Sequence, residues 1–250
     1  MILYEYPFNE RVRAYLRLEY LFDRLFFLVR GDDMREHQIA VSTLFDILDM
    51  LERTDVKGTI LQDLERQRSR LVALRDHPSV AQGVLESMLG DIERVIGILT
   101  AQGKIGQILR ENEWLSSLRG RLSVTGGATQ MDMPSFYTWQ QKPAEVRRAD
   151  LTRWIDSLMG LCDGLALALR LLRENGDKSQ AVAEQGAYQQ MLGGKQHQLL
   201  RVWIEPTQGV FPEISANKYM IWIRFAMQDG ELKPQPVARD VPFSMSICSN

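Results

Sequence analysis

Two pairs of arginine and tryptophan have the spacing and the chemistry of a binding surface. Arg201 and Trp203 lie two residues apart, as do Trp222 and Arg224, so on extended strands each arginine shares a face with its tryptophan. If the two strands pair, they form one surface that suits an acidic, partly apolar peptide, because arginine forks bind carboxylates and indole rings cover apolar side chains. The alternative is that one face is core, with buried tryptophans and arginines at its rim. The pattern leaves both interpretations open.

Residues for catalysis or metal binding do not occur at useful spacings. The histidines His37, His77 and His197 are far apart in the sequence, and so are the two cysteines. The segment Gly193-Gly194-Lys195 lacks the remaining residues of a phosphate-binding loop. No GxGxxG, GxSxG, CxxC or HExxH pattern occurs. We therefore expect a protein that is not an enzyme and that has no cofactor and no metal site.

Most of the chain before residue 176 has the apolar period of amphipathic helices. Short breaks separate these segments from about residue 9 to residue 118, which favours antiparallel neighbours in a helical bundle. One long helix is predicted from Pro143 to Gly176, because Leu151, Trp154, Leu158 and later apolar residues form a single stripe. We expect this helix to join the helical body to a β module.

The apolar period changes to two in the last part of the chain. Strands are predicted at residues 199–205, 219–227 and 241–248, with a hairpin-type turn at Asp229-Gly230. The predicted fold class is α+β, with a mainly α-helical bundle domain at residues 1–176 and a smaller antiparallel β domain at residues 185–250. The helical domain is interrupted near residues 121–134, where residues 128–133 could form a short strand that joins the sheet.

The composition limits the classes of partner. The chain has 250 residues, 45% of them hydrophobic, which is enough for a sizeable core. Its net charge of −2 argues against a generally basic nucleic-acid-binding protein, although 23 of the 30 basic residues are arginine, whose planar fork suits carboxylates and phosphates. No apolar run approaches the roughly 18 residues of a membrane span, and no signal-peptide pattern is present. We therefore expect a cytoplasmic protein without membrane insertion.

Several short stretches, each unspecific alone, occur in an order and spacing that cover almost the whole chain. They are Tyr6-Pro7-Phe8-Asn9-Glu10 with Arg17-Leu18-Glu19, Leu48-Asp49-Met50-Leu51-Glu52-Arg53, Ile105-Gly106-Gln107-Ile108-Leu109-Arg110-Glu111, Arg121-Leu122-Ser123 with Gly126-Gly127, Pro212-Glu213-Ile214-Ser215, and Ile223-Arg224-Phe225. With these stretches the sequence resembles the ZapD proteins of the bacterial division ring. The resemblance implies a symmetric homodimer, in the cytoplasm at the midcell division ring, that binds the C-terminal tail of the tubulin-like GTPase FtsZ and bundles its protofilaments.

The resemblance also implies that a basic pocket near the domain junction binds the tail. Arg53 and Arg224 match basic positions of the family's motifs, and Lys104, which precedes Ile105-Gly106-Gln107, matches less closely. Met220 stands four residues before Arg224, where another basic residue is expected, and Lys218 is close enough in sequence to substitute.

The predicted site for the FtsZ tail therefore combines these matches with two residues of the strand pattern. Its members are Arg53, Lys104, Arg201, Lys218, Trp222 and Arg224. For the dimer interface the candidates are Tyr15, Phe22, Phe26 and Phe27 on the first helix, and an intramolecular core explains the same residues.

Two other classes of function stay open. A nucleic-acid-binding regulator could use Arg66, Arg68, Arg70 and Arg75 on the third helix, although such a run more commonly forms a solvated face. A small-molecule enzyme could have a pocket at the domain junction, but the sequence contains no nucleophile–base or metal-binding set for it.

Overall fold

Helices account for most of the chain between residues 10 and 174 in the computed structural model, which describes residues 1–75, 77–78 and 80–249. They are α1 (Glu10–Val29), α2 (Met34–Arg53), α3 (Val56–Val72), α4 (Gln82–Ala101), α5 (Gln107–Glu111), α6 (Glu113–Leu122), α7 (Pro134–Gln140), α8 (Ala144–Asp156) and α9 (Met159–Glu174). Local side chains set several starts. Asp33 and Glu36 form a capping box on α2, and the Asp55 carboxylate accepts the Gly58 N–H at 2.9 Å at the start of α3.

Over the described residues the chain separates into two compact units. A helical unit comprises residues 14–168, and a β unit comprises residues 1–13 together with 169–250. The chain passes between the units within α1 and again within α9. The core of the helical unit includes fully buried aliphatic side chains of α2, α3 and α4: Leu44, Leu48, Ile60, Leu64, Ile92 and Leu99. The predicted α+β class is confirmed.

The prediction of a single long helix from Pro143 to Gly176 is wrong, because the helix is interrupted at Ser157 and Leu158, between α8 and α9. The Ser157 hydroxyl donates to the Trp154 carbonyl at 2.9 Å, and the Leu158 N–H donates to the Ile155 carbonyl at 2.7 Å. The Gln102 side-chain amide then donates to the Ser157 carbonyl at 2.7 Å. The freed backbone groups are thus satisfied by a tighter turn and by a side chain that follows α4.

The segment near residues 121–134 does not join a sheet, contrary to the prediction. Helix α6 continues to Leu122, and residues 123–133 form turns. The Thr129 carbonyl accepts the N–H groups of Asp132 and Met133, at 3.1 and 2.9 Å. Gly127 lies so close to the Arg121 carbonyl that a Cβ atom there would be 2.3 Å from its oxygen. A compact turn therefore replaces the expected strand at residues 128–133.

The β unit contains two antiparallel sheets in the part of the chain that the structure describes. The strands are β1 (Ile2–Pro7), β2 (Lys178–Ala183), β3 (Ala187–Met191), β4 (Leu199–Ile204), β5 (Phe211–Ala216), β6 (Met220–Met227), β7 (Gln235–Pro236) and β8 (Val241–Cys248). The first sheet has the order β1-β4-β8-β2, and the second has the order β3-β6-β5, with β7 also pairing with β6. Apolar side chains from both sheets form one buried cluster, with Val202, Ile223, Phe225, Phe243 and Met245 among its members.

The predicted domain ranges, 1–176 and 185–250, differ from the observed units. The first strand, β1, pairs with β4 in the register Tyr6↔Leu200, so the first residues of the chain belong to the sheet. Likewise β2 pairs with β8 in the register Ala181↔Phe243. The alternation predicted for β6 is confirmed, since Ile221, Ile223 and Phe225 enter the common core and Trp222 and Arg224 between them are exposed. In β8 the core side chains also alternate, but Ser244, Ser246 and Cys248 on the opposite face are buried as well.

Candidate functional site

The two arginine–tryptophan pairs do not form one surface, so the first of the two interpretations that the sequence left open does not hold. Arg201 and Trp203 lie on β4 in the first sheet, whereas Trp222 and Arg224 lie on β6 in the second. Strand β4 pairs with β1 and β8, and β6 pairs with β3, β5 and β7. Both strands show the same apolar alternation because both bury one face in the core that the two sheets share. Since the strands lie in different sheets, each arginine–tryptophan pair has its own surroundings.

Arg201 is engaged by a carboxylate of its own unit. Its Nε donates to Glu5 Oε1 at 3.0 Å, directly across the β1–β4 register. Glu5 also accepts two hydrogen bonds from Arg173, at 2.9 and 2.6 Å. The guanidinium of Arg201 and the ammonium of Lys178 each lie over the Trp203 ring, at 4.8 and 4.5 Å from its centroid. These contacts hold Arg201 in a structural cluster.

The outward face of β6 and of the strands β3 and β5 on either side of it is called here the β6 face. Three rows of side chains cross it: Ala187, Arg224 and Glu213; then Gln189, Trp222 and Ser215; then Met191 and Met220. Trp222 is 37% exposed and Arg224 is also exposed, whereas the alternate residues Ile221, Ile223 and Phe225 are buried in the core. A shallow cleft of about 280 Å³ lies along the first two rows. Within the described residues Arg224 has no ion-pair partner.

Lys218 and Met220 lie at the end of the β6 face. The Asn217 side chain accepts the N–H groups of Tyr219 and Met220, at 2.8 and 3.0 Å, and so fixes the turn between β5 and β6. Lys218 is exposed in this turn, with its ammonium 4.8 Å from the centroid of the Tyr219 ring. Met220 occupies the row nearest the turn. Along the chain, Trp222 thus has an exposed cation on each side, Lys218 in the turn before β6 and Arg224 in the next row of the β6 face.

In the helical unit, Arg53 and Lys104 line one cleft, which is called here the α2–α3 cleft. Its volume is about 460 Å³, and its walls come from the turn between α2 and α3 and from the turn between α4 and α5. Arg53 is the last residue of α2, and Lys104 lies just before Ile105, whose buried side chain anchors the second turn. Both cations are exposed. The structure therefore brings these two predicted residues together.

Sequence reasoning missed two further cations of the α2–α3 cleft, Lys57 and Arg110. The Lys57 ammonium donates to the backbone carbonyls of Gln102 and Gly103, the latter at 3.2 Å. Arg110 pairs with Glu52 at 3.1 Å. The run Arg110-Glu111 falls within one of the motifs that carry the family resemblance, and this was the signal that could have identified Arg110.

The carboxylates near the α2–α3 cleft are already engaged. Hydrogen bonds from Arg119 and then Arg110 lower the pKa of Glu52 to about 2. Arg119 also pairs with Asp49, and Asp55 caps α3. Among the lining residues that the structure describes, Arg53 and Lys104 have no ion-pair partner. The cleft therefore carries a net positive charge with two cations available to an anionic ligand.

The arginines of α3 and the turn after it are largely neutralised by carboxylates. Arg66 pairs with Asp63 at 3.5 Å, Arg68 with Glu65 at 2.8 Å, and Arg75 with Glu86 at 2.9 Å. Ion pairs that hold surface arginines in this way are typical of a solvated helix face. This arrangement gives little support to a nucleic-acid-binding role for the helix.

In residues 1–75, 77–78 and 80–249, no group of three or more His, Cys, Asp or Glu side chains is placed to hold a metal ion. Over those residues, every helix is too short or too polar to cross a bilayer.

Comparison with known proteins matches the chain along nearly its full length. The model of the family described as "ZapD: Cell division protein" matches residues 16–224. "Cell division protein ZapD" of Bordetella pertussis is 69% identical over 250 residues, which cover 100% of this chain and 99% of the relative. The protein of the same name from Bordetella petrii is also 69% identical, with 100% of both chains covered.

Proposed function

The chain belongs to the ZapD family of cell division proteins, and on this basis we propose that it binds the C-terminal tail of FtsZ and, as a homodimer, bundles FtsZ protofilaments. In this proposal the protein has no catalytic role. It acts in the cytoplasm at the midcell division ring, where it stabilises the ring by joining neighbouring filaments.

The observation that carries the proposal is that Arg53 and Arg224 are exposed and lack carboxylate partners in the described part of the chain. Other arginines, such as Arg24 with Asp46, are held in ion pairs. Forming a new bond to an unpaired guanidinium requires no existing ion pair to break, so such groups suit the capture of carboxylates. Lys104 beside Arg53, and Lys218 with Trp222 near Arg224, supply further charge and an apolar surface.

Two-fold symmetry turns tail binding into bundling. A monomer with one tail site holds one filament subunit, whereas a dimer holds two and can join neighbouring filaments. Each contact can be weak, because the many tails of a polymer raise the effective concentration for each later contact. Attraction between arginine and carboxylate is screened over about 8–10 Å at physiological ionic strength, so bundling should be reversible and should weaken with added salt.

The proposed dimer interface includes the apolar surface that α1 leaves uncovered. Tyr15 and Phe22 are buried within the chain, at 2% exposure each, and so belong to its own core. Phe26 is half-buried, and Phe27 is 71% exposed. Tyr20, seven residues before Phe27, lies on the same side of α1 and is also exposed. Phe27 is therefore the best candidate among the residues named from the sequence.

A charge-reversal experiment tests the tail site. The double variant Arg53→Glu plus Arg224→Glu should fold and dimerise as the wild type does, yet fail to co-sediment with FtsZ polymers. The matched control, Arg70→Glu plus Lys233→Glu, makes the same change in net charge at two exposed positions outside the proposed site. Co-sedimentation of the control should be near that of the wild type. Normal bundling by the Arg53/Arg224 variant would remove both residues from the site.

The single variants Arg53→Glu and Arg224→Glu measure how much each unit contributes to binding of FtsZ polymers. Because Arg53 belongs to the helical unit and Arg224 to the β unit, each reversal alters one patch and leaves the other intact. We expect each single variant to bind more weakly than the wild type and more tightly than the double variant, as measured by the salt concentration that releases the protein from FtsZ polymers.

A further inference from the structure

The β6 face carries an acidic side chain that attraction to an acidic tail does not explain. Glu213 on β5 lies directly opposite Arg224 in the register of β5 and β6, and both side chains are exposed. Directly opposed residues of antiparallel strands have Cβ atoms about 5 Å apart, which is close enough for an ion pair. In the described part of the chain, however, neither residue takes part in one. Both charges are thus available to a ligand.

The surroundings of this pair provide an apolar contact beside the two charges. Trp222 lies in the next row, between Gln189 and Ser215, and the cleft of about 280 Å³ is lined by residues of both rows. Beyond it, Met191 and Met220 pair in the third row, and Met191 is largely exposed. Exposed methionine and tryptophan side chains adapt to apolar ligand groups of varied shape.

We propose that the β6 face recognises a mixed-charge segment, in which an apolar side chain lies next to a carboxylate and a cation. The inference rests on the tail binding proposed above and specifies which chemistry of the tail this face binds. The apolar side chain covers Trp222 and the methionines, the carboxylate pairs with Arg224, and the cation pairs with Glu213. Glu213 then determines specificity, because a purely acidic segment would place a second carboxylate beside it.

Removal of the Glu213 carboxylate should change the affinity for the peptide in the opposite direction from that expected for a simple cationic patch. If the face only attracts negative charge, removal of the Glu213 carboxylate raises the local positive potential and strengthens binding of an acidic peptide. If Glu213 pairs with a cation of the ligand, its removal weakens binding. The direction of the change therefore distinguishes the two arrangements.

The test measures binding of a fluorescently labelled synthetic peptide with the sequence of the FtsZ C-terminal tail to the full chain by fluorescence anisotropy. Glu213→Gln should weaken binding about two- to fivefold, the size expected for loss of one exposed ion pair. In a second peptide, any lysine of that sequence is replaced by acetyl-lysine and any arginine by citrulline, and this peptide should bind the wild type and Glu213→Gln equally. Glu231→Gln, at an exposed position after β6, is the matched control and should leave binding of both peptides unchanged.

Three possible results of these binding measurements distinguish the role proposed for Glu213 from a simple cationic patch and from a failure of tail binding. Weaker binding by Glu213→Gln that disappears with the neutralised peptide supports the inference. Unchanged or tighter binding by Glu213→Gln, together with weaker binding by Arg224→Gln, overturns the inference and leaves the proposed function standing. Failure of the wild-type chain to bind the native peptide would overturn the proposed function, and the inference with it.

Discussion

In the helical unit, the buried guanidinium of Arg147 donates from Nε to Nδ1 of the buried His37 at 2.9 Å. Because an arginine N–H can only donate, His37 Nδ1 must be unprotonated, and the other ring nitrogen, Nε2, donates to the Gly31 carbonyl at 2.9 Å. The remaining guanidinium nitrogens of Arg147 donate to the carbonyls of Gln140, Lys142 and Asp32. This arrangement ties the turn between α1 and α2 to the segment between α7 and α8, and it requires a neutral imidazole.

Acidification should therefore destabilise the protein. Burial, with a smaller contribution from Arg147, lowers the pKa of His37 below its ordinary value of 6.5. Below pH 6.5 the imidazole of His37 is protonated in the unfolded chain but stays neutral in the folded chain. The contribution of His37 to the free energy of unfolding is therefore fully present above pH 6.5 and is lost as pH falls towards the pKa of the folded state. Burial also lowers the pKa of His197 in the β unit, which acts in the same direction. Urea unfolding from pH 7.5 to pH 5 should show a falling midpoint, and the fall should be smaller for His37→Gln. Equal falls for the two proteins would contradict this prediction.

Removal of the Arg147 guanidinium should be costly. Arg147→Met leaves the His37 ring nitrogen and three backbone carbonyls without their donor in a buried site. We expect a loss of about 3 kcal/mol in the free energy of unfolding. Arg153→Met is the matched control on the same helix, because Arg153 is exposed and pairs with Asp150 at 2.7 Å. Its effect should stay below about 1 kcal/mol. Similar losses for the two variants in urea denaturation would show that the Arg147 contacts contribute little.

Two glycines of the helical unit should respond to substitution in opposite ways. A Cβ at Gly164 on α9 would lie 2.8 Å from Leu99 Cδ1 and 3.2 Å from Ile60 Cγ2, and both of these neighbours are fully buried. Gly164→Val should therefore destabilise by about 1–3 kcal/mol through overpacking. Gly90 on α4 has open space at its Cβ position, so Gly90→Ala should stabilise by about 0.5–1 kcal/mol through helix propensity. Thermal unfolding of both variants measures this, and a stable Gly164→Val protein would contradict the close packing of α9.

Phenylalanines on α1 should separate folding from dimerisation. Phe22 is buried in the intramolecular core, so Phe22→Ala should reduce the free energy of unfolding by about 3–5 kcal/mol. Phe27 is mostly exposed, so Phe27→Ser should change monomer stability by less than about 0.5 kcal/mol. If Phe27 lies in the proposed interface, sedimentation velocity should show Phe27→Ser shifting towards monomer at low micromolar concentration. A dimer that is as tight as the wild type would exclude this face of α1.

The sequence pattern predicted those elements in which the alternation of apolar and polar residues within one segment determines which side chains are buried. The alternation of β6 follows from one buried face, and so the placement of Trp222 and Arg224 on the opposite face was predictable. The break between α8 and α9 was not, because the apolar stripe continues across it through Leu158 and the stabilising amide comes from Gln102, far away in the sequence. In the same way, nothing local indicates that β1 pairs with β4.

The candidate site shows the same division between local and distant effects. Arg201 resembles Arg224 in sequence, yet it pairs with Glu5 at the other end of the chain, so only tertiary structure distinguishes the two arginines. The family resemblance identified Arg53 and Lys104 separately, and their common cleft depends on two turns that the sequence separates by about one helical hairpin. Glu213 lies in a motif that carried the resemblance, but its opposition to Arg224 depends on strand register.

The most direct test of tail-dependent bundling compares FtsZ polymers with and without their C-terminal tail. Light scattering and low-speed sedimentation should show that this protein bundles full-length FtsZ polymers, and that added salt reverses the effect. Polymers of tail-deleted FtsZ should give the signal of FtsZ alone at every concentration of the protein. Equal bundling of the two kinds of polymer would contradict the proposed function.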